Sequence, residues 1–370
     1  MSSRSTGEPE PSMRLLFVCP DMRTGGAERH WATLVPMLRE RGAQAGVLCL
    51  SEEGSLFSEL TRAGVPARCL NMRGRADARA LRAALACARP RPDVVVSRGV
   101  NALVVANAIA RRARTAHVVN EHTPLLASGE LLAGRRHQRL LTRALAPHVQ
   151  GVIAVARRQV DPLVALGYRR ERIEVIANGI DPVERNEGVS RLAGEGEFGV
   201  LCVSRLQVEK RVELFVQAVV EARRSHPGLR GYVAGDGDRR DQIEHLARGS
   251  GVELLGERSD VPCLLEAADA FALSSGAEAL PMSVLEAMAR ALPVVAPDLG
   301  GTSDAVVDGE TGLLVEPGDS SALARGLVRL AREPEHARRM GEAGRERQRE
   351  RFTATAMADA YLAAFERVAR

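Results

Sequence analysis

An α/β fold of two Rossmann-like, doubly wound domains facing a central cleft is the fold class predicted for these 370 residues. Three observations predict it. Short, continuously apolar runs recur along the chain, as expected of parallel strands covered on both faces by helices. Longer stretches with helical spacing separate them, giving the βαβ rhythm. That rhythm runs twice, interrupted by a polar stretch rich in Gly and Glu. A chain of this length also exceeds what one core usually serves.

In the first half, strands are expected at 14–19, 46–50, 93–97, 117–120, 151–155 and 173–176, with helices such as 27–41 and 81–88 between them. After Ala177-Asn178-Gly179-Ile180-Asp181-Pro182 the pattern pauses. The domain plan is then a disordered tail over 1–12, a first domain over 13–182, a linker over 183–197 and a second domain over 198–350. Strands of the second domain are expected at 199–203, 231–234, 252–255, 270–273, 293–296 and 312–315, with helices including 212–224 and 282–289. A terminal helix over 351–370 carries Met357, Tyr361, Leu362, Phe365 and Val368 as an apolar stripe. It either packs back on the first domain or caps the second.

Hydrophobic residues make up 45% of the chain and charged ones 26%, an ordinary globular composition. With only 3% aromatic residues, the composition argues against a stacking platform for single-stranded nucleic acid. The six cysteines form no CxxC pair and read as small buried hydrophobes in a reducing, cytoplasmic setting. No apolar run of about 18 residues suggests a spanning helix, and the first dozen residues lack the apolar core of a signal peptide. Net charge is +4, but Arg111, Arg112 and Arg114 cluster, as do Arg135, Arg136, Arg139 and Arg143. These are either solvated helix faces or a patch for an anionic membrane surface or phosphate-bearing acceptor.

Two facing doubly wound sheets hold ligands where their strand C-termini meet, so the chemistry is sought on loops after strands. In the segment 274–289 a strand ends, a small-residue loop carries Glu278, and a helix opens near Pro281 with Glu286 inside it. The free N–H groups of that first turn make an anion site. Two carboxylates there can accept hydrogen bonds from sugar and ribose hydroxyls; the alternative is a capping Glu278 and a solvated Glu286. The loop Ser204–Arg211 offers Arg205 and Lys210, a planar fork and a compact charge able to hold a diphosphate. They would stabilise charge on a departing nucleoside diphosphate without a metal. Gly235-Asp236-Gly237 follows another strand and lets backbone approach a ligand. In the first domain, Gly25-Gly26 joins strand to helix, and His122 follows a strand. Neither a dinucleotide fingerprint nor a P-loop spacing is present, which disfavours a nicotinamide oxidoreductase.

Taken in order, these segments resemble the retaining glycosyltransferase family four, whose GT-B fold carries a Glu-x7-Glu motif. Glu278 and Glu286 have that spacing, followed by Ala287-Met288-Ala289. The resemblance covers about 13–350 and is stronger in the second domain. It implies transfer of a sugar from a UDP- or GDP-sugar donor to a sugar, lipid-linked or small-molecule acceptor, with retained anomeric configuration. No metal or other cofactor and no nucleic acid partner are implied.

The resemblance implies that Arg205 and Lys210 hold the diphosphate, Glu278 meets the transferred sugar and Glu286 the ribose. Ala279, Leu280 and Pro281 would line sugar and phosphate through their backbone, with Gly235, Leu255 and Arg258 near the base. Gly25 and Gly26 would form a loop over the phosphates, and His122 would approach the reaction centre. Ala279 stands where the family usually has Gly, and Arg211 where Gly is common. A nucleotide-sugar epimerase or a phosphorylase on the same frame and a non-catalytic nucleotide-sugar sensor are the rival readings.

Overall fold

The computed structural model describes residues 13–23, 25–74, 77–122, 136–183 and 189–370, so the expected tail and part of the expected linker lie outside it. The first sheet contains β1 (Arg14–Asp21), β2 (Gln44–Glu52), β3 (Ala67–Cys69), β4 (Val94–Ser97), β5 (Ala116–Glu121), β6 (Gly151–Ala154) and β7 (Ile173–Val175). All pair in parallel, in the order β3-β2-β1-β4-β5-β6-β7. The second sheet contains β8 (Phe198–Val203), β9 (Leu229–Ala234), β10 (Val252–Gly256), β11 (Ala270–Ala272), β12 (Val294–Pro297) and β13 (Gly312–Val315). Its strands are also parallel, in the order β10-β9-β8-β11-β12-β13.

The continuous apolar runs have a simple cause. Along β1, Phe17 and Cys19 enter the core on one face, while Val18 enters the core on the other. Helix α1 (Gly26–Glu40) covers the first face. Helices α3 (Ala78–Ala86) and α4 (Val100–Ala113) cover the second; α2 (Ser55–Arg62) adds Leu56, Phe57 and Leu60 beside α1. A strand with no solvated face has no polar alternation to show.

In each domain the strand order reverses beside the first strand, between β1 and β4 and between β8 and β11. A crevice opens at such a switch point because neighbouring connections leave in opposite directions. The loops following β1 and β4, and those following β8 and β11, are therefore the ones placed for ligands.

The remaining first-domain helices are α5 (Arg136–Leu145) and α6 (Val160–Ala165). The second domain has α7 (Val212–Arg223), α8 (Arg240–Ala247), α9 (Val261–Ala267), α10 (Met282–Ala289), α11 (Thr302–Ala305), α12 (Ser320–Arg332) and α13 (Pro334–Arg351). The last helix, α14 (Ala354–Ala369), settles the question of its partner. Its Met357, Tyr361 and Phe365 join the core of the first domain, where Phe17 stands edge-on to both Trp31 (5.0 Å) and Phe365 (6.1 Å). Burying each such side chain stabilises by about 1.5–3 kcal/mol, enough to fix the helix there.

The chain crosses at Phe352–Thr353, beside Gly179–Ile180. Ile180 N donates to Phe352 O at 2.9 Å, and Ala354 N donates to Ile180 O at 3.1 Å. A Cβ on Gly179 would lie 2.2 Å from Thr353 O, so only glycine allows this approach.

The cysteine expectation needs correction. All six are free, but Cys263 is exposed and Cys69 and Cys87 are partly so. Cys263 falls on the outer side of the short α9, whose buried residues are Leu264, Leu265 and Ala267.

Candidate active site

At the switch point of the second sheet, the loop after β8 and the loop after β11 are stitched together. Gly276 N donates to Glu209 O (2.8 Å) and Ser274 Oγ to Lys210 O (3.2 Å). This brings Lys210 Nζ to 2.6 Å from Glu278 Oε1, an oxygen that also accepts from Ser275 Oγ at 2.7 Å. Both charged side chains are largely covered, 19% and 9% exposed. An ammonium has three donors, so two remain for another acceptor. Arg205 stands apart: its side chain is half exposed, and among the described residues its ion pair is with Glu209, at 3.9 Å. Arg211, in a left-handed conformation at φ 47°, lays its side chain beside Gly276.

The segment from Glu278 to Pro281 runs into α10 with Pro281 as its N-cap and no side-chain cap. The first-turn N–H groups of α10 are thus not taken by a side chain at the cap. Leu280 O accepts from Asn178 Nδ2 at 2.9 Å, tying this segment to the interdomain crossing. Sequence reasoning missed what lies beneath it. Gly300, at φ 54°, and Gly301 pass so close that a Cβ would strike Glu278 O and Ala279 O. The Gly-Gly pair in Leu299–Thr302 was the available signal.

Glu286 lies within α10, and its pKa is raised because burial disfavours the carboxylate; Arg290 and Arg29 counteract this. Arg29 belongs to α1, so the first domain's field reaches the second domain's motif. The N-terminus of α1 also meets that of α10: a Cβ on Gly26 would lie 3.7 Å from Met282. Two helix N-termini thus approach each other across the cleft, and their dipoles favour an anion between them.

Gly235, at φ 145°, sits against the loop after β8. A Cβ there would lie 2.0 Å from Ser204 O, and Gly235 N donates to Gly256 O at 2.7 Å. Loop packing alone therefore requires this glycine, whatever ligand it also faces. Leu255 packs partly buried on the core below α10. Arg258 is held by Asp260 at 2.6 Å on the surface.

In the first domain, Glu28 pairs with Arg98 at the β1/β4 switch point, and the Glu28 carboxylate occupies the space a Cβ on Gly25 would need. Arg98 also lies over the Trp31 ring, 5.3 Å from its centroid. His122 follows β5 and joins a buried network. Trp31 Nε1 donates to Asn120 Oδ1 (2.7 Å), Asn120 Nδ2 donates to Tyr361 Oη (2.7 Å), and His122 Nε2 lies 3.0 Å from Asn120 Oδ1. An indole N–H only donates, so the oxygen of Asn120 faces it and His122. His122 Nε2 must then carry the proton, leaving Nδ1 as an acceptor. Burial, with His30 and Arg98 nearby, holds the His122 pKa well below its usual value, so the ring is neutral. The His30 ring lies 4.4 Å from it, tilted by 57° and fully buried, and among the described residues neither of its nitrogens is hydrogen-bonded. Sequence reasoning missed His30, Glu28 and Arg98, and read Tyr361 only as part of an apolar stripe. They sit inside helices or at a strand end with no local motif to mark them.

Among the described residues, no three His, Cys, Asp or Glu side chains form a metal-holding group. The site therefore offers carboxylates, cations, a neutral imidazole and two helix N-termini around one cleft.

Two family models match the chain in tandem. "Glycosyltransferase Family 4" covers residues 24–184 and "Glycosyl transferases group 1" covers 184–347. A glycogen synthase of Mycobacterium tuberculosis is 31% identical over 263 residues, which are 65% of this chain and 63% of the relative. The chain thus matches less than two thirds of that relative's length. The lipopolysaccharide core biosynthesis glycosyltransferase LpsE of Rhizobium meliloti is 32% identical over 203 residues, 53% of this chain and 58% of the relative. Among solved structures, Anabaena HepE in complex with UDP and glucose superposes with a TM-score of 0.83 at 22% identity, covering 96% of this chain and 100% of that one. The sucrose-phosphate synthase of Thermosynechococcus elongatus gives 0.79 at 18% identity, over 96% and 98%. These likenesses establish the two-domain GT-B fold.

Proposed function

The chain belongs to the family-four glycosyltransferases, and from that membership we propose that it transfers a sugar from a nucleoside-diphosphate donor to an acceptor hydroxyl in glycan, polysaccharide or glycolipid synthesis. The observation that carries this reading is the Lys210–Glu278 contact at the mouth of α10. It sets a cation for a diphosphate beside an acceptor for sugar hydroxyls. Binding of UDP and glucose by HepE supports a nucleotide-sugar donor.

In this reading the diphosphate lies between Lys210, Arg205 and the first turn of α10, and Glu286 accepts from the ribose. The acceptor oxygen bonds to the anomeric carbon as the bond to phosphate breaks. Both events occur on one face, so configuration is retained. The proton of the acceptor hydroxyl passes to the departing phosphate oxygen, whose charge Lys210 and Arg205 stabilise. Neutral His122 offers its bare Nδ1 to a sugar hydroxyl. Cations do the work of a metal here, so no metal is required.

Peripheral association with the inner membrane face fits the arginines of α4 and α5 and a lipid-linked acceptor. Among the described residues, no helix is long and apolar enough to cross a membrane.

Incubation with candidate nucleotide-sugars in the absence of acceptor tests the reading. Slow release of free sugar and nucleoside diphosphate is expected. Conversion of intact donor to its epimer would overturn transfer, and tight binding without turnover, with acceptors supplied, would point to a sensor.

A further inference from the structure

At the opposite end of the first sheet from the cleft lies a second cavity, of about 390 Å³. Thr115 and Gln150, which line it, immediately precede β5 and β6, whereas His122 follows the other end of β5. Arg111, Arg114, Arg172 and His148 also line it, and no carboxylate does.

The fold assembles these cations from separate places. Arg111 and Arg114 end α4, Arg172 precedes β7, and His148 follows α5. Arg172 is braced by donating from Nη1 to Val149 O at 2.6 Å. Arg91 Nη2 donates to Arg114 O at 2.7 Å, which fixes that backbone. None of the three arginines forms an ion pair with an acidic side chain among the described residues. Arginines at a helix C-terminus offset its dipole, but that does not explain Arg172. Nor does it explain Asn107, which is 4% exposed, lines the same cavity and makes no side-chain hydrogen bond among the described residues. Its amide atoms are not sealed off, so a ligand in the cavity can bond to them.

We propose that this cavity binds a phosphate group, held by the guanidinium forks of Arg111, Arg114 and Arg172 with the Asn107 amide at its base. Planar guanidinium forks match phosphate oxygens bidentately. The cavity leaves room beside a bare phosphate, which fits a phosphate ester. Its source is either a phosphorylated small molecule or the headgroup of an anionic phospholipid. The site is independent of glycosyl transfer, since it lies at the far end of the sheet.

The test uses the full chain at constant ionic strength. Inorganic phosphate is titrated against thermal unfolding, and flotation is measured with phosphatidylcholine vesicles with and without phosphatidylglycerol. Phosphate is expected to raise Tm in the wild-type and in Lys210→Ala, which removes the cleft cation. Arg111→Ala/Arg114→Ala is expected to weaken binding at least about tenfold, and Arg111→Lys/Arg114→Lys to restore part of it. Should the double variant not fold, Arg111→Glu alone, at an exposed position, gives the same readout. Retention on phosphatidylglycerol vesicles that the double variant loses assigns the headgroup. Phosphate binding without retention assigns the small molecule. The proposal is overturned if neither probe binds, if the arginine variants bind as the wild-type does, or if Lys210→Ala alone abolishes binding.

Discussion

The ammonium of Lys210 rests 2.6 Å from Oε1 of Glu278, joining the loop after β8 to the loop after β11 across 68 residues of sequence. Removing the cation leaves a nearly covered carboxylate without its ion partner and, on the proposed reading, takes a cation away from the diphosphate. Lys210→Ala is expected to lower kcat by about 100- to 1,000-fold, the usual loss when a charge-stabilising group is deleted. Steady-state rates with saturating donor measure it. If Lys210→Ala combined with Arg205→Ala keeps wild-type turnover, the diphosphate assignment is wrong.

The same cations bear on metal dependence. Because Lys210 and Arg205 are assigned the charge that a divalent ion would otherwise neutralise, turnover is expected to persist after exhaustive treatment with EDTA. A loss that added magnesium or manganese restores would contradict that assignment.

Asn120 is held from both sides, by Trp31 on its oxygen and by Tyr361 on its amide nitrogen. Tyr361→Phe removes the acceptor and leaves a buried N–H₂ unpaired, at a cost of about 1–3 kcal/mol. A lower Tm is expected. Because Asn120 sets the His122 tautomer, kcat/KM should fall as well. An unchanged Tm and rate would mean that Trp31 and His122 hold the amide without Tyr361.

Much of this was legible because burial on both faces writes itself into sequence as unbroken apolar runs. The strand β3 escaped because Ala67–Cys69 is a three-residue edge strand whose residues are only partly covered. Its sequence carries an arginine where a central strand would be apolar. The motif Glu278–Glu286 was readable because both carboxylates lie within one strand-loop-helix unit. By contrast, the His122 environment is built from α1, β5 and α14, and no local pattern joins His30, Asn120 and Tyr361. The stripe on α14 was visible, but its host was decided by Phe17 and Trp31, more than 320 residues away in sequence.

Gly235 offers a test of the loop packing that places Arg205. A methyl group there meets Ser204 O at 2.0 Å, and φ of 145° suits only glycine. Since the obstacle is backbone, Gly235→Ala is expected to destabilise by about 1–3 kcal/mol and to raise KM for the donor by displacing Arg205. Parallel measurement of Tm and donor KM checks both. A normal Tm would show that the two loops separate freely.

Glu286 ties stability to function with opposite signs. Burial raises its pKa above 4.5, so the folded chain keeps this proton to higher pH than the unfolded chain does. Its contribution therefore favours the fold at low pH and is lost as pH rises above 4.5 and through the raised value. Glu286→Gln keeps the shape without the buried charge. The variant is expected to have a higher Tm than the wild-type at neutral pH, with the two converging in acid. On the proposed contact between the ribose hydroxyls and this carboxylate, donor binding should tighten in the wild-type as pH rises through the raised pKa. Loss of that charge-assisted hydrogen bond should lower kcat/KM in Glu286→Gln by about 10- to 100-fold, from roughly 1.5–3 kcal/mol. Tm profiles and donor affinities over the same pH range test both halves. A variant that is less stable at neutral pH, or that binds donor as tightly as the wild-type, would show that Glu286 instead serves the packing of α10.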